Sequence, residues 1–224
     1  IGGTAKGQLV REIDALGGEM GRAADRSMIQ FRMLNASKGP AVLSPRAQID
    51  RRQYQKLMKQ TLEQQPGLDL RQGEAVDLIC DSDAATGRIV IRGVQLKTGA
   101  VFTCQAVILA TGTYLEGRII IGDCQYSGGP DNQFAARGLS DSLRELGLPL
   151  MRFKTGTPAR INRRSVDFTP MERQDGDLRI TPFSYENENQ PQDWLTDQLP
   201  CWLTWTTAAT RQAVHENLHR SPLY

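Results

Sequence analysis

Histidine is almost missing: the 224 residues hold two, His215 and His219, so a multi-histidine metal centre is excluded. Cysteine is scarce too. Cys80, Cys104, Cys124 and Cys201 form no C-x-x-C pair, and their wide spacing fits neither a metal knuckle nor a disulfide-stapled small scaffold. Reduced thiols in a cytosolic setting are the simplest reading. Charge of one sign is not in excess: 27 Lys and Arg stand against 25 Asp and Glu, a net +2, so composition alone marks no nucleic-acid binder. No apolar run approaches the ~18 residues of a membrane span, and no basic–apolar–small leader pattern is visible. The chain is long enough to bury about 70% of its unfolded surface without a staple. It opens on Ile1-Gly2-Gly3, without an initiator Met, and reads as an internal piece of a longer protein.

The first turn-rich stretch is Ile1-Gly2-Gly3-Thr4-Ala5-Lys6-Gly7. Leu9, Val10, Ile13 and Leu16 then fall at helical spacing, and Gly17-Gly18 supplies a C-terminal stop. A Gly-rich turn feeding a helix N-terminus offers N–H groups and a positive dipole end to an anion, although on spacing alone an ordinary loop before a helix is the commoner reading. The lysine precedes the last glycine, so this is not a nucleotide P-loop. Ile29, Phe31 and Met33 alternate as in a strand, a turn-rich segment follows through Val42, and Asp50 is placed to cap a helix that Pro66 ends.

From Ala75 the period changes. Ala75–Cys80, Ile89–Leu96 and Val101–Cys104, separated by the turns Asp81–Gly87 and Lys97-Thr98-Gly99, read as an antiparallel meander. Ala106-Val107-Ile108-Leu109-Ala110 is a continuous apolar run suited to a strand buried on both faces of a parallel sheet. It ends at Thr111-Gly112-Thr113, where the chain turns sharply or approaches something closely. A meander, a buried strand and Ala-Thr-Gly at its end look like the second half of a flavoprotein FAD domain, with the nucleotide beyond the strand's carboxyl end.

Residues 119–139 read as a long loop, and Ser140 as the cap of a helix through Leu146 with Gly147 after it. Arg152, Lys154, Arg160, Arg163 and Arg164 follow with no acidic residue among them, a cluster that can neutralise phosphates or simply face solvent. Glu186, Glu188, Asp193 and Asp197 reverse the balance in a polar stretch read as exposed, while Trp194, Trp202 and Trp205 read as small-domain core. A last helix is expected from Thr207 to His219. It carries His215-Glu216-Asn217-Leu218-His219, which matches H-E-x-x-H. The metalloprotease reading is refused and no metal is expected, because no third ligand is marked out.

Several strings together match one family. They are Ile1-Gly2-Gly3 through Lys6-Gly7 and Asp14-Ala15-Leu16-Gly17-Gly18; Asn35-Ala36-Ser37-Lys38-Gly39-Pro40-Ala41-Val42 with Arg46-Ala47-Gln48; Gly112-Thr113; Lys154-Thr155-Gly156-Thr157-Pro158 with Arg160; and Arg220-Ser221-Pro222. Over essentially its whole length the chain resembles the FAD-containing large subunit of the tRNA uridine 5-carboxymethylaminomethyl modification enzyme, the glucose-inhibited division protein A family.

The resemblance implies an α/β fold: an incomplete glutathione-reductase-like FAD-binding domain over 1–150 and the start of a smaller inserted α/β domain over 151–224. It implies a cytoplasmic, homodimeric flavoenzyme without membrane contact. NADH would reduce its FAD, methylenetetrahydrofolate would supply one carbon, and a partner GTPase would help install a (carboxymethyl)aminomethyl group at C5 of the wobble uridine of tRNA. Gly2, Gly3, Thr4, Lys6, Gly7, Ala75, Gly112, Thr113 and Ala136 match positions that approach FAD. Lys38, Arg46, Arg152, Lys154 and Arg160 are candidates for tRNA phosphates, and Lys154 and Arg160 also for the reaction itself. The family's dinucleotide glycine fingerprint and both catalytic cysteines would fall outside this chain, so the fragment is expected to be inactive alone and to hold FAD poorly. The loop Gly128-Gly129-Pro130-Asp131-Asn132-Gln133-Phe134 lacks the arginine usual in the family. A folate-dependent tRNA uracil methyltransferase and a non-catalytic tRNA- or GTPase-binding module are the alternatives.

Overall fold

The computed structural model describes residues 1–190 and 197–221. In chain order the first elements are α1 (Gly7–Ala15), α2 (Met20–Ser27), β1 (Met28–Leu34), β2 (Ser44–Ile49) and α3 (Arg51–Gln64). The middle of the chain forms β3 (Ala75–Ser82), β4 (Ile89–Leu96), β5 (Val101–Thr103), β6 (Arg118–Ile121), β7 (Cys124–Ser127) and α4 (Leu139–Glu145). The last are β8 (Glu172–Gln174), β9 (Cys201–Leu203) and α5 (Ala208–Glu216). The fold is mixed α/β. No helix among the described residues is long and apolar enough to cross a membrane.

The chain forms two compact units, each discontinuous in sequence: 1–70 with 161–205, and 71–160 with 206–224. Compactness thus groups the residues differently from a division at 150, because 161–205 groups with the first seventy residues and 206–224 with the middle of the chain.

In the first unit β1 and β2 pair antiparallel, with Phe31 opposite Ala47. The other edge of β1 is closed without a regular strand. Asp177 N–H donates to the Phe31 carbonyl (2.9 Å) and Leu199 N–H to that of Ile29 (2.9 Å). Two side chains complete the edge: Gln198 Oε1 accepts from Phe31 N–H (2.7 Å) and Asp177 Oδ2 from Met33 N–H (2.6 Å). The core is Val10, Ala24, Met28, Phe31, Ala47, Ile180 and Phe183. Phe31 and Phe183 are wholly buried, each contributing roughly 1.5–3 kcal/mol of burial free energy.

The helices obey local chemistry. The α1 stop is a Schellman motif: Gly17 has φ +86°, its N–H donates to Asp14 O (2.8 Å), and Gly18 N–H donates to Ile13 O (2.9 Å). Only Val10 of its expected apolar face is buried; Leu9, Ile13 and Leu16 are exposed. Helix α2 packs through small residues, with Gly21, Ala23, Ala24, Asp25 and Ser27 all buried. Asp50 caps α3 as expected, its carboxylate accepting from Arg52 and Gln53 N–H (2.9 and 3.1 Å).

The second unit contains the expected meander, an antiparallel sheet in the order β3-β4-β5. Helix α4 lies against β3, and Ser142 Oγ accepts from Leu78 N–H (3.0 Å). Its N-cap is Gly138 at φ +96°, not Ser140, which sits buried within the first turn. Part of the loop expected over 119–139 is instead the hairpin β6–β7, turned at Gly122.

Residues 106–110 correct another expectation: they form no strand, and Ile108 is 93% exposed. An apolar run specifies a buried strand only where neighbours supply its hydrogen bonds, and none of the described strands pairs with it. Helix α5 carries the Thr207–Thr210 capping box and ends at Glu216. Trp202 packs on Phe168 (centroids 5.0 Å apart), Trp205 is exposed, and Trp194 and Asp193 lie outside the described residues.

Candidate functional site

The candidate cofactor residues divide between the units, five in the first and four in the second. In the first, the Gly-rich turn is held by Gly3 N–H to Pro45 O (2.8 Å), with Lys6 and Gly7 N–H both donating to Gly3 O (3.0 and 2.9 Å). Its glycines have different reasons. A Cβ on Gly2 would lie 2.3 Å from Pro45 O, and one on Gly7 would lie 2.7 Å from the Pro45 ring. Both are therefore required by packing. Gly3, at φ +96°, would have nothing within 4 Å of a Cβ, so it presents open backbone. Thr4 and Lys6 are exposed beside it.

The Asn35–Val42 string folds as two single 3-10 turns hinged at Gly39, φ +101°. Asn35, in the left-handed region at φ +61°, reaches back to Thr4 Oγ1 (3.4 Å) and Val42 O (3.2 Å). This joins the string to the Gly-rich turn and leaves Lys38 exposed on its rim. Arg46 is different. It is half-buried in β2, forms a bridge with Gly2, and donates to Gln30 Oε1 (3.3 Å). Its buried Nε has no protein partner among the described residues.

In the second unit Thr111–Tyr114 is a tight turn closed by Tyr114 N–H to Thr111 O (3.2 Å). Gly112 has φ +55° and, like Gly3, nothing within 4 Å of a would-be Cβ; Gly112 and Thr113 line an open, solvent-facing turn. Ala136 pairs in a parallel bridge with Leu115. Ala75 opens β3 opposite Leu96. Next to it the Glu74 carboxyl is held below its usual value by the N–H of Arg137, with Lys97 adding to the effect. Glu74, Lys97, Phe134 and Ala135 help line a depression of about 310 Å³ beside Ala75 and Ala136.

Residues 151–160 are exposed and irregular. Lys154 folds over Gly156, where a Cβ would be 3.5 Å from its Nζ. Arg152 donates to Glu116 O (3.1 Å). At the chain's end α5 stops at Glu216, with Asn217 outside helical geometry and His219 in a 3-10 turn, so His215 and His219 do not share one helical face. Among the described residues no group of three His, Cys, Asp or Glu is placed to hold a metal. All four cysteines are free.

Two buried polar residues were not among the candidate site residues of the sequence. Asp25 on α2 accepts from Phe183 N–H (2.7 Å), Ser184 N–H (2.9 Å) and Asn187 Nδ2 (2.7 Å). Burial nonetheless pushes its carboxyl above the usual aspartate value, outweighing those donors. Gln30 on β1 donates to the carbonyls of Gln174 (3.2 Å) and Leu199 (3.0 Å). Both stitch the returning segment to the first seventy residues.

Comparison with known proteins agrees across the whole chain. The family described as glucose inhibited division protein A matches residues 1–224. A tRNA uridine 5-carboxymethylaminomethyl modification enzyme MnmG of Caldicellulosiruptor saccharolyticus is 56% identical over 224 residues, all of this chain and 34% of that protein. The Bacillus subtilis protein of the same name is 52% identical over the same share. The solved structure of Aquifex aeolicus GidA in its form I crystal superposes with a TM-score of 0.90 at 44% identity, covering 100% of this chain and 37% of that one. The chain therefore spans about a third of the length of the curated relatives it matches.

Proposed function

The chain belongs to the glucose inhibited division protein A family, and from that premise we propose that it is part of a flavin-dependent enzyme that modifies C5 of the wobble uridine in tRNA. The match of the family over every residue carries the reading. The fold class consistent with it is a partial glutathione-reductase-like FAD domain over 1–150 and the start of an inserted α/β domain over 151–224.

FAD would approach this chain at two places. Gly3 and Gly112 each hold a positive-φ backbone with nothing within 4 Å of a would-be Cβ, as Gly17, Gly39, Gly67, Gly87, Gly99, Gly122 and Gly147 also do; the family resemblance selects these two, and their open backbone is compatible with close approach of a cofactor. Thr4 and Lys6 flank the first turn, and Thr113, Ala75 and Ala136 belong with the second; Gly2 and Gly7 would act by holding the first turn against Pro45. FAD, reduced by NADH, would supply the redox chemistry, with methylenetetrahydrofolate as one-carbon donor. Lys154 and Arg160, both exposed, would meet tRNA phosphates, joined by Lys38 and Arg152. Arg46, bonded to Gln30, would support the Gly-rich turn. A GTPase partner, a homodimer and a cytoplasmic location complete the proposal.

The test is mass analysis of the wobble uridine in tRNA from cells lacking the complete protein. Loss of the C5 substituent is expected. An unaltered wobble uridine overturns the proposal, and a deficit at another tRNA uridine assigns the uracil methyltransferase reading instead.

A further inference from the structure

The second unit carries a second depression, of about 370 Å³, at the base of the β6–β7 hairpin. Arg118, Arg137 and Arg152 line it, with Tyr126, Ser127 and Glu116. The volume lies within the range of small-ligand sites. Its charge is unbalanced. None of the three guanidiniums makes an ion pair among the described residues, whereas Arg92, Arg144 and Arg220 of the same unit each hold an aspartate. Two of the three are held by neutral acceptors. Arg152 Nη1 donates to the Glu116 carbonyl (3.1 Å) and Arg137 Nη2 to Ser127 Oγ (3.0 Å). Such partners fix a guanidinium without neutralising it, and the depression stays positive on balance: three guanidiniums against the Glu116 carboxylate, with Glu74 also acting on Arg137.

The backbone that arranges them is strained. Glu116 has φ +46°, a costly value for a residue with a Cβ. It is kept there from both sides: its N–H donates to Ala136 O (3.0 Å), and Gly117 N–H donates to Tyr114 O (3.1 Å). Gly117 is required, since a Cβ would sit 2.4 Å from Gly128 O. This conformation turns the Glu116 carbonyl to Arg152. Strain that the surroundings over-determine, next to an excess of cations in a concave surface, is the kind of feature that accompanies a binding place. Tyr126 is 43% exposed at its rim, an aromatic face beside the cations.

The geometry points to a nucleotide subsite: the three arginines take a backbone phosphate of single-stranded RNA while the Tyr126 ring stacks on the adjoining base. Guanidiniums suit phosphate through forked, charge-assisted hydrogen bonds, and base stacking on an aromatic face tolerates any sequence. The choice of RNA rests on the tRNA reading proposed above.

The test uses the complete protein and a fluorescent oligouridylate, with anisotropy read across a salt series. Arg118→Ala, Arg137→Ala and Arg152→Ala should each weaken binding on the order of tenfold. Removing all three should flatten the slope of log affinity against log salt by roughly 0.7, the value for the one phosphate they share, and each single variant should flatten it by a part of that. Arg118→Lys should restore most of that slope. Tyr126→Phe should bind as the wild type does and Tyr126→Leu more weakly. Free uridine monophosphate should compete at high concentration, and inorganic phosphate less well because it cannot stack. Far-UV circular dichroism identifies any variant that fails to fold; its glutamine counterpart, which also lacks the charge, then replaces it. Unchanged salt slopes in all three arginine variants would overturn the subsite. Phosphate competing as well as the mononucleotide would overturn the stacking role. The two readings fail separately: cells can lose the wobble substituent while these variants bind RNA normally, or the variants can lose RNA binding while the wobble uridine is unaffected.

Discussion

The carboxylate of Asp25 and the N–H of Phe183 meet at 2.7 Å across 158 positions of sequence, both residues wholly or almost wholly buried. The same carboxylate takes the N–H of Ser184, so one side chain on α2 holds the segment that delivers Phe183 to the core. Asp25→Ala leaves two buried N–H groups without an acceptor. It should cost about 3 kcal/mol, at 1–3 kcal/mol for each abandoned donor less the relief of a buried charge. Asp25→Asn keeps one acceptor and should cost less. Denaturant midpoints measure both, and an alanine variant within about 0.5 kcal/mol of wild type would show that this bond does not anchor the segment.

Asp25 also sets a pH dependence opposite to that of the surface acids. Burial is the leading cause of its raised value, and Asp14 nearby adds to it. Below the ordinary aspartate value both folded and unfolded chains carry the proton. As pH rises, the unfolded chain releases it first, so the contribution of Asp25 is lost as pH climbs through the raised folded value. Glu74, Asp83, Asp123 and Asp167 are lowered by their hydrogen bonds and act the other way, losing their contribution as pH falls. The stability difference between wild type and Asp25→Asn isolates the first effect. It should shrink as pH is raised above the ordinary aspartate range; a difference that grows would contradict the burial argument.

What could be read in the sequence was what local chemistry decides. The Asp50 cap and Pro66 stop fix α3, the alternation of Ile29, Phe31 and Met33 shows β1, and turn residues separate the three meander strands. What could not be read depended on partners far along the chain. Helix α2 is buried through small side chains, so it shows no apolar stripe in its sequence. Asp25 and Gln30 look like any surface polar residues until Gln174, Phe183, Ser184, Asn187 and Leu199 pack over them. The run 106–110 had the composition of a buried strand but no pairing partner among the described strands. One miss had a local signal: Gly122-Asp123 between two short runs is a two-residue hairpin turn, hidden by the surrounding glycines. At the candidate site, motif matching picked out the glycines but could not separate their roles, since Gly2 and Gly3 are alike until Pro45 is placed.

That separation yields a paired test. Gly2 has φ +78°, and a methyl there would meet Pro45 O at 2.3 Å and the Phe183 ring at 2.7 Å, both at the core. Neither neighbour can yield without moving β2 or a buried aromatic, so Gly2→Ala should cost about 3 kcal/mol or more, combining overpacking with left-handed strain. Gly3→Ala meets nothing within 4 Å and incurs the strain of φ +96° alone, about 1–2 kcal/mol. In the complete protein the order should invert for flavin. Gly3→Ala places a methyl where the cofactor would approach and should weaken FAD binding on the order of tenfold, the effect of losing roughly 1.4 kcal/mol. Thermal midpoints and flavin titration of the two variants decide the matter. Equal losses of stability would mean that Gly3 also serves packing, and an unaltered flavin affinity in Gly3→Ala would remove this turn from the cofactor surface.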